Sequence, residues 1–488
     1  MTNLKSSSLD LFPNSLILKN DVELGLVKAQ SGNRLAVLAN SSVTDFDGER
    51  TEFSSLTLTL CSLTSNNARS LRSYLTWLIP APLGLSTSAG MGDRLGLATP
   101  GHVRAVRKVG GNIAPIFVQQ SIRENSRTGR NPQQVLDDAT WGMFQEGWQE
   151  KSGADADHLK TTEDIDACLN CGYSFFTIDP GEYVDNRANS NDLSELRELA
   201  STLPADIGAN ASGLAGKKFE IENLSVFFDE ITLLKAAVKY GKAVKHVVKM
   251  YQHLQRAAGS FPFEFEVSVD ETEQPTTHAE HVYIASELKR NGVEWVSLAP
   301  RYIGSFEKGV DYIGDLYAFE NDFAGHAAIA RQFGPYKLSL HSGSDKFSIY
   351  SIANRLTHGL VHLKTAGTSY LEALRTIASL DPDFFREIYI FARERYENDR
   401  LSYHVSADLN RAQLPTEVKY WPDLLNQFDA REILHVTFGS VLTEKASTHE
   451  PRFYDRLMDL LKTNPETYAD NLEKHFVKHL APFLPLEG

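Results

Sequence analysis

A chain of 488 residues with 49 Lys and Arg against 63 Asp and Glu has a net charge of −14, which excludes a general nucleic-acid or anionic-membrane surface. Its 42% hydrophobic and 23% charged residues are those of a globular protein with room for two or three domains, or for one large barrel with additions. No apolar run approaches the ~20 residues of a spanning helix, no basic-then-apolar secretory signal opens the chain, and Cys61, Cys168 and Cys171 are too few for a disulfide framework, so a reducing cytoplasm is the expected compartment.

Residues 1–80 read as an α/β lead-in. Segments 34–39 and 56–61 are aliphatic or β-branched and predict strands, and 66–79 carries Leu71, Leu75 and Leu78 at helical spacing. From residue 82 strands and helices alternate. The spacing predicts strands over 83–88, 113–120, 154–160, 173–179, 263–270, 294–299, 337–341 and 360–365, each followed by a helix. Cys168-Leu-Asn-Cys171 has no second pair to complete a zinc site and reads as a helix end before Gly172. A polar stretch, 181–218, interrupts the alternation. It begins an insertion to about 260 that holds a predicted helix over 224–258, broken once. Eight strand–helix units, with no phosphate-binding glycine fingerprint after the first strand, favour a TIM (β/α)8 barrel over 81–380 rather than an open doubly wound sheet. Helical spacing at 382–396, 452–462 and 468–480 makes 381–488 a mostly helical C-terminal extension.

In such a barrel the catalytic groups gather at the C-terminal ends of the strands. Here those ends carry Glu124, His158 with Lys160, Asp179, Asp270 with Glu271, Arg301, His341, and His362 with Lys364. The stretch 335–348, PYKLSLHSGSDKFS, delivers His341 from a short apolar run into a Ser-Gly-Ser turn able to offer backbone N–H groups. Alternation sharpens the list, because Glu264, Glu266, Ser268 and Asp270 share one face of the fifth strand while Phe263, Phe265, Val267 and Val269 share the other. The apolar face must meet helices, so the acidic face points into the lumen, where carboxylates and imidazoles need pairing or a metal. Two imidazoles and a carboxylate suit a catalytic divalent ion. His158 and His341 are the imidazole candidates, with Glu307, Glu271 or Asp179 for the carboxylate. Lys160, Arg301, Lys346 and Lys364 are expected at the rim to hold a substrate carboxylate. His404 and His435 lie beyond the eighth unit and read as structural, unless His404 folds back over the site.

At these strand ends the chain resembles the tagaturonate epimerases, metal-dependent enzymes of hexuronate catabolism. The resemblance lies in GMGDRLGLATPGH (90–102), QQSIREN (119–125), GADADHLK (153–160), VSVDETEQPTT (267–277), FEKGVDYIGD (306–315), HSGSDKFSIY (341–350) and HLKTAGTSYLEALR (362–375). It implies an isomerase that interconverts D-tagaturonate and D-fructuronate at C-4, with Glu124 and Asp270 as catalytic carboxylates. It also implies His158 and His341 as ligands of a divalent cation; imidazole plus carboxylate suits Zn, Mn, Co, Ni or Fe, and we assign Glu307 as the third ligand.

The chemistry suits that expectation. In a 2-ketohexuronate C-4 is β to the carbonyl, so its own proton is not acidified; inversion there calls for retro-aldol cleavage of C-3–C-4 or transient oxidation. Nothing in the sequence supplies a nicotinamide site for oxidation. The rival readings are a metal-dependent aldolase or ketose isomerase acting on a sugar acid, and a non-catalytic sugar-acid sensor on a barrel scaffold.

Overall fold

The computed structural model of the chain describes residues 3–484 apart from 30–31, 42, 44, 112, 208–211, 342–344, 366, 413 and 447–448. Eight parallel strands close into a barrel: β1 (Ser88–Gly90), β2 (Ala114–Ser121), β3 (Gly153–Leu159), β4 (Phe175–Ile178), β5 (Glu264–Val269), β6 (Ser297–Pro300), β7 (Lys337–His341) and β8 (Val361–Lys364). Consecutive strands pair in parallel, and β8 closes the ring on β1 through His362 opposite Ser88 and Lys364 opposite Gly90. With its surrounding helices this is the TIM barrel expected from the alternation.

Side-chain parity does what the sequence of β5 requires. Phe265 faces outward, its ring 5.1 Å from that of Tyr251, whereas Glu266 turns into the lumen to Thr177 and His341. The first strand is shorter and later than predicted, at Ser88–Gly90 instead of 83–88. Residues 83–84 instead close the bottom of the lumen, where the Gly84 N–H donates to the Glu264 carboxylate.

Two regions depart further from the expectation. The N-terminal sheet has five antiparallel strands in the order Ile17–Lys19, Val22–Val27, Arg34–Ala39, Leu56–Ser62 and Glu49–Phe53, three more than the two predicted. Glu49–Phe53 is an exposed edge without apolar alternation, and Val22–Val27 contains Gly25, a site where an added Cβ would stand 3.1 Å from Leu16. In the insertion, 224–227 is not helix. It pairs with Lys218–Ile221 as a hairpin, and an unbroken helix of 29 residues, Glu230–Ala258, begins only at Asp229, whose carboxylate accepts from the Thr232 N–H at 2.8 Å.

One apolar core runs from the N-terminal sheet through the barrel's helical layer into the C-terminal helices. The extension comprises Pro382–Asp399, Phe428–Val436, Phe438–Thr443, Tyr454–Thr463 and Pro465–Leu480; the second and third of these were not foreseen. No helix among the described residues is long and apolar enough to cross a membrane.

Helix Pro465–Leu480 lies against helices Thr99–Val109 and Thr368–Leu380. The approach depends on Gly101, where a Cβ would stand 2.5 Å from the Leu472 Cβ and 2.9 Å from the Ala469 carbonyl oxygen. Gly101→Ala is expected to destabilise the fold by roughly 1–3 kcal/mol through overpacking. Urea unfolding measures it, as a lower midpoint at unchanged slope; an unaltered midpoint would show that the helices part without loss.

Candidate functional site

The lumen is filled by charged side chains from alternate strand positions. Lys364, the last residue of β8, places its ammonium 2.9 Å from Asp155, 2.8 Å from Asp157 and 2.8 Å from Glu266, and donates to Thr177 Oγ1 at 2.6 Å. Burial alone pulls the Lys364 pKa down, but the surrounding carboxylates outweigh it and hold the ammonium charged. Burial likewise opposes ionisation of Asp157 and Glu266, and the Lys364 charge leads in driving both well below the ordinary carboxylate range.

At the top of this column stand the two imidazoles. Strand alternation puts Asp155 and Asp157 on one face of β3 and should send His158 to the other. The register of β3 against β4 shifts between Ala156 and Leu159, and His158 adopts a left-handed φ of 54°. Such a φ is rare without glycine, and here it lets consecutive residues 157 and 158 converge. Ligand atoms of Asp157, His158 and His341 all lie within 4.8 Å of one another. The two rings meet edge to face with centroids 5.2 Å apart. His341 is held by Glu266 Oε1 at 2.7 Å from its Nε2, leaving Nδ1 facing Ser268 Oγ at 3.2 Å and Asp270 at 3.7 Å. His158 Nδ1 is buried without a hydrogen bond, with Asp179 Oδ2 3.5 Å away. Burial disfavours charge on His158, yet Asp157, Asp179 and Asp270 raise its pKa to about 10.

Two cavities meet at His341 and also share Lys308 and Tyr403, and His158 borders the smaller of them. The smaller, about 40 Å³, reaches Glu124; the larger, about 220 Å³, is bordered by Asp270, Glu271, Arg301 and His404. Glu124, in the first turn of helix Ile122–Thr128, is gripped by the Arg94 guanidinium and accepts from Gln120 Nε2 at 2.9 Å. Arg94 in turn packs on Phe438 and lies 3.3 Å from His435 Nε2. Asp270 accepts from Ser268 Oγ, and the His341 and His158 imidazoles overcome burial to hold its pKa low.

Several predicted site residues sit elsewhere than expected. Glu307 is not in the cluster of Asp157, His158 and His341. It accepts from Ser406 N and Oγ at 2.8 and 2.7 Å, beside Glu432. Lys346 is not at the rim: its buried ammonium donates to the carbonyl oxygens of Glu307, Val310 and Asp345, and burial pulls its pKa down to about 7. Lys364 is in the lumen instead of the rim. Lys160 is at the rim but lies 3.0 Å from Glu182. Arg301 makes no ion pair among the described residues and borders the larger cavity. The Ser-Gly-Ser turn at 342–344 falls outside the described residues. Asp157, Arg94, Lys308 and Tyr403 were missed. Only Asp157 carried a signal, its alternation with Asp155.

Among known proteins, the model of a family described as tagaturonate epimerase matches residues 12–483. A tagaturonate/fructuronate epimerase of Thermotoga maritima is 42% identical over 476 residues, 96% of each chain. Native and glycerol-complexed crystal structures of a fructuronate-tagaturonate epimerase from Cohnella laeviribosi superpose with TM-scores of 0.92 at 37% identity, covering 98% of this chain and 97% of that one.

The Glu307–Glu432 pair is testable through pH. Burial and then Glu307 raise the Glu432 pKa from an ordinary 4.5 to about 8. The folded state therefore binds this proton more tightly than the unfolded chain. The resulting stabilisation is complete below the unfolded value and is lost as pH rises through about 8. Glu432→Gln, which keeps an oxygen for the Ser406 and Ala407 N–H groups, is expected to match the wild type at pH ~5 and melt higher at pH ~9. Identical pH profiles would refute the raised Glu432 pKa.

Proposed function

The chain belongs to the tagaturonate epimerase family, and on that premise we propose that it interconverts D-tagaturonate and D-fructuronate by retro-aldol inversion at C-4, with a divalent metal held by His158, His341 and Asp157. The observation that carries this reading is the convergence of those three ligand groups on the cavity of Glu124, with His341 also bordering the cavity of Asp270. The donor set fits an ion: two imidazoles and a carboxylate leave positions open, and Glu266 on His341 Nε2 is the outer carboxylate that orients a ligating ring. The buried His158 Nδ1 without a hydrogen bond is a further fit. Imidazole with carboxylate suits Zn, Mn, Co, Ni or Fe. When bound, such an ion supplies Lewis-acid polarisation of the substrate carbonyl.

The chain's own groups supply the rest. Arg301 and Lys308 border the larger cavity, and Arg301 offers its fork to the substrate carboxylate. Lys160 at the rim adds positive charge, while Lys346 and Lys364 act from beneath. Lys346 holds the 307–310 loop, and Lys364 keeps the lumen carboxylates ionised. In cleavage one carboxylate takes the C-4 hydroxyl proton, the C-3–C-4 bond breaks, and its electron pair passes toward the C-2 carbonyl oxygen. The aldehyde turns, C-3 attacks its opposite face, and the other carboxylate returns a proton to the new C-4 hydroxyl. Glu124 and Asp270 exchange these roles with direction. Arg94 and Gln120 aim Glu124, and Ser268 aims Asp270.

His158→Ala and His341→Ala are each expected to lose activity together with one equivalent of metal per chain by elemental analysis. Unchanged metal in both places the ligands elsewhere. Glu124→Gln and Asp270→Asn should each fall by roughly 10²–10⁴-fold in kcat while still binding metal and substrate.

Turnover of tagaturonate in heavy water distinguishes the routes. Retro-aldol inversion leaves C-4 free of deuterium, because no C-4–H bond breaks, and deuterium there would overturn it. Accumulating three-carbon fragments would instead mark an aldolase, and binding without turnover a sensor.

A further inference from the structure

A second convergence of ligand groups lies outside both cavities. His475 and His479 are four residues apart on helix Pro465–Leu480, so their imidazoles share one face. That face meets Asp345, four residues beyond His341. All three side chains are buried, His479 completely.

Asp345 Oδ1 lies 2.9 Å from His475 Nε2 and 3.2 Å from His479 Nε2, and the two Nε2 atoms are 3.1 Å apart. Hydrogen bonds do not satisfy this triangle when both rings are neutral. With one Nε2 protonated, the other nitrogen sets its lone pair against the carboxylate. With both protonated, two N–H groups point at one oxygen and crowd each other. A single cation between the three atoms satisfies every edge. A tetrahedral ion with bonds of ~2.0–2.1 Å spaces its donors roughly 3.3 Å apart, close to the triangle observed.

The far sides of the ligands are also arranged. His479 Nδ1 lies 3.0 Å from Tyr350 OH, and His475 Nδ1 lies 3.4 Å from Glu372 Oε1. Asp345 Oδ2 accepts from Arg431 at 2.7 Å, and Thr368 Oγ1 stands 3.4 Å from Oδ1. A second layer that fixes the ring orientation and the carboxylate is the usual surrounding of metal-ligating histidines. Phe347 closes one side, its ring 4.8 Å from that of His479.

We propose that Asp345, His475 and His479 bind a second divalent transition-metal ion, Zn²⁺ by ligand type, which ties the C-terminal helix to the segment following β7. None of the three borders either cavity, so the ion is structural. It fastens the chain just past His341 to a helix far along the sequence, Asp345 and His475 being 130 residues apart. The inference stands independently of the ion at the barrel mouth.

The test uses the full chain expressed with zinc and freed of excess by gel filtration. Crystallographic data on either side of the zinc absorption edge should show an anomalous peak bonded to His475, His479 and Asp345, whatever is found at His158 and His341. In the His158→Ala/His341→Ala background one zinc per chain should remain, and adding His479→Ala should remove it. Tyr350→Phe is the milder variant, should His479→Ala fail to fold. Losing the oxygen that orients His479 should weaken zinc by roughly 10–100-fold. No anomalous peak at the triangle in wild-type crystals would overturn the proposal, as would zinc affinity unchanged by Tyr350→Phe together with zinc retained after His479→Ala.

Discussion

The buried ammonium of Lys364, within 2.9 Å of Asp155, Asp157 and Glu266, is the interaction on which the barrel mouth depends. Carboxylates facing each other in a lumen repel strongly, and removing their cation would leave several uncompensated buried charges. Lys337 adds a second buried ammonium facing Glu266 and Asp155, but burial lowers its pKa, so the carboxylates remain in excess. The surplus reaches the imidazoles above: burial should lower their pKa values, yet both His158 and His341 are raised. Protons or a divalent cation can meet that surplus, and the two compete for the same nitrogens. The charge arrangement that holds the core of the barrel thus also sets the charge on the imidazoles at its mouth.

Backbone conformation and electrostatics are coupled at His158. A left-handed φ on a non-glycine residue costs of order 1–3 kcal/mol, and here it turns an outward position inward. The imidazole is then met by carboxylates of Asp157 and Asp179. The strain and the charge therefore belong to one device, which brings two consecutive side chains of a single strand end to the same point.

The C-terminal extension is part of the site rather than an appendage. Its Tyr403 and His404 border the cavities, and His435 with Phe438 backs Arg94, which grips Glu124. Arg431 reaches Asp345 on the loop after β7. The loops at the strand ends are thereby clamped from outside the barrel.

The sequence by itself determined the barrel and the polarity of its lumen, because both rest on local periodicity. Alternation in Phe263 to Asp270 marks which side chains point inward, and His341 at the end of Lys337–His341 falls where the apolar run stops. The strand ends also marked His158 and His341 as the imidazole pair, and motif resemblance added the family. Short or irregular elements escaped, such as β1, the edge strand Glu49–Phe53 and the hairpin before Asp229, because their form comes from neighbours rather than from their own pattern. Only the tertiary structure decided that Asp157, not Glu307, accompanies the imidazoles, since that follows from a register shift and a left-handed residue in β3. It alone decided which cations are open to a substrate. Lys364 and Asp157 are 207 residues apart, and whether a charge is already matched is a property of pairs that exist only once the barrel closes.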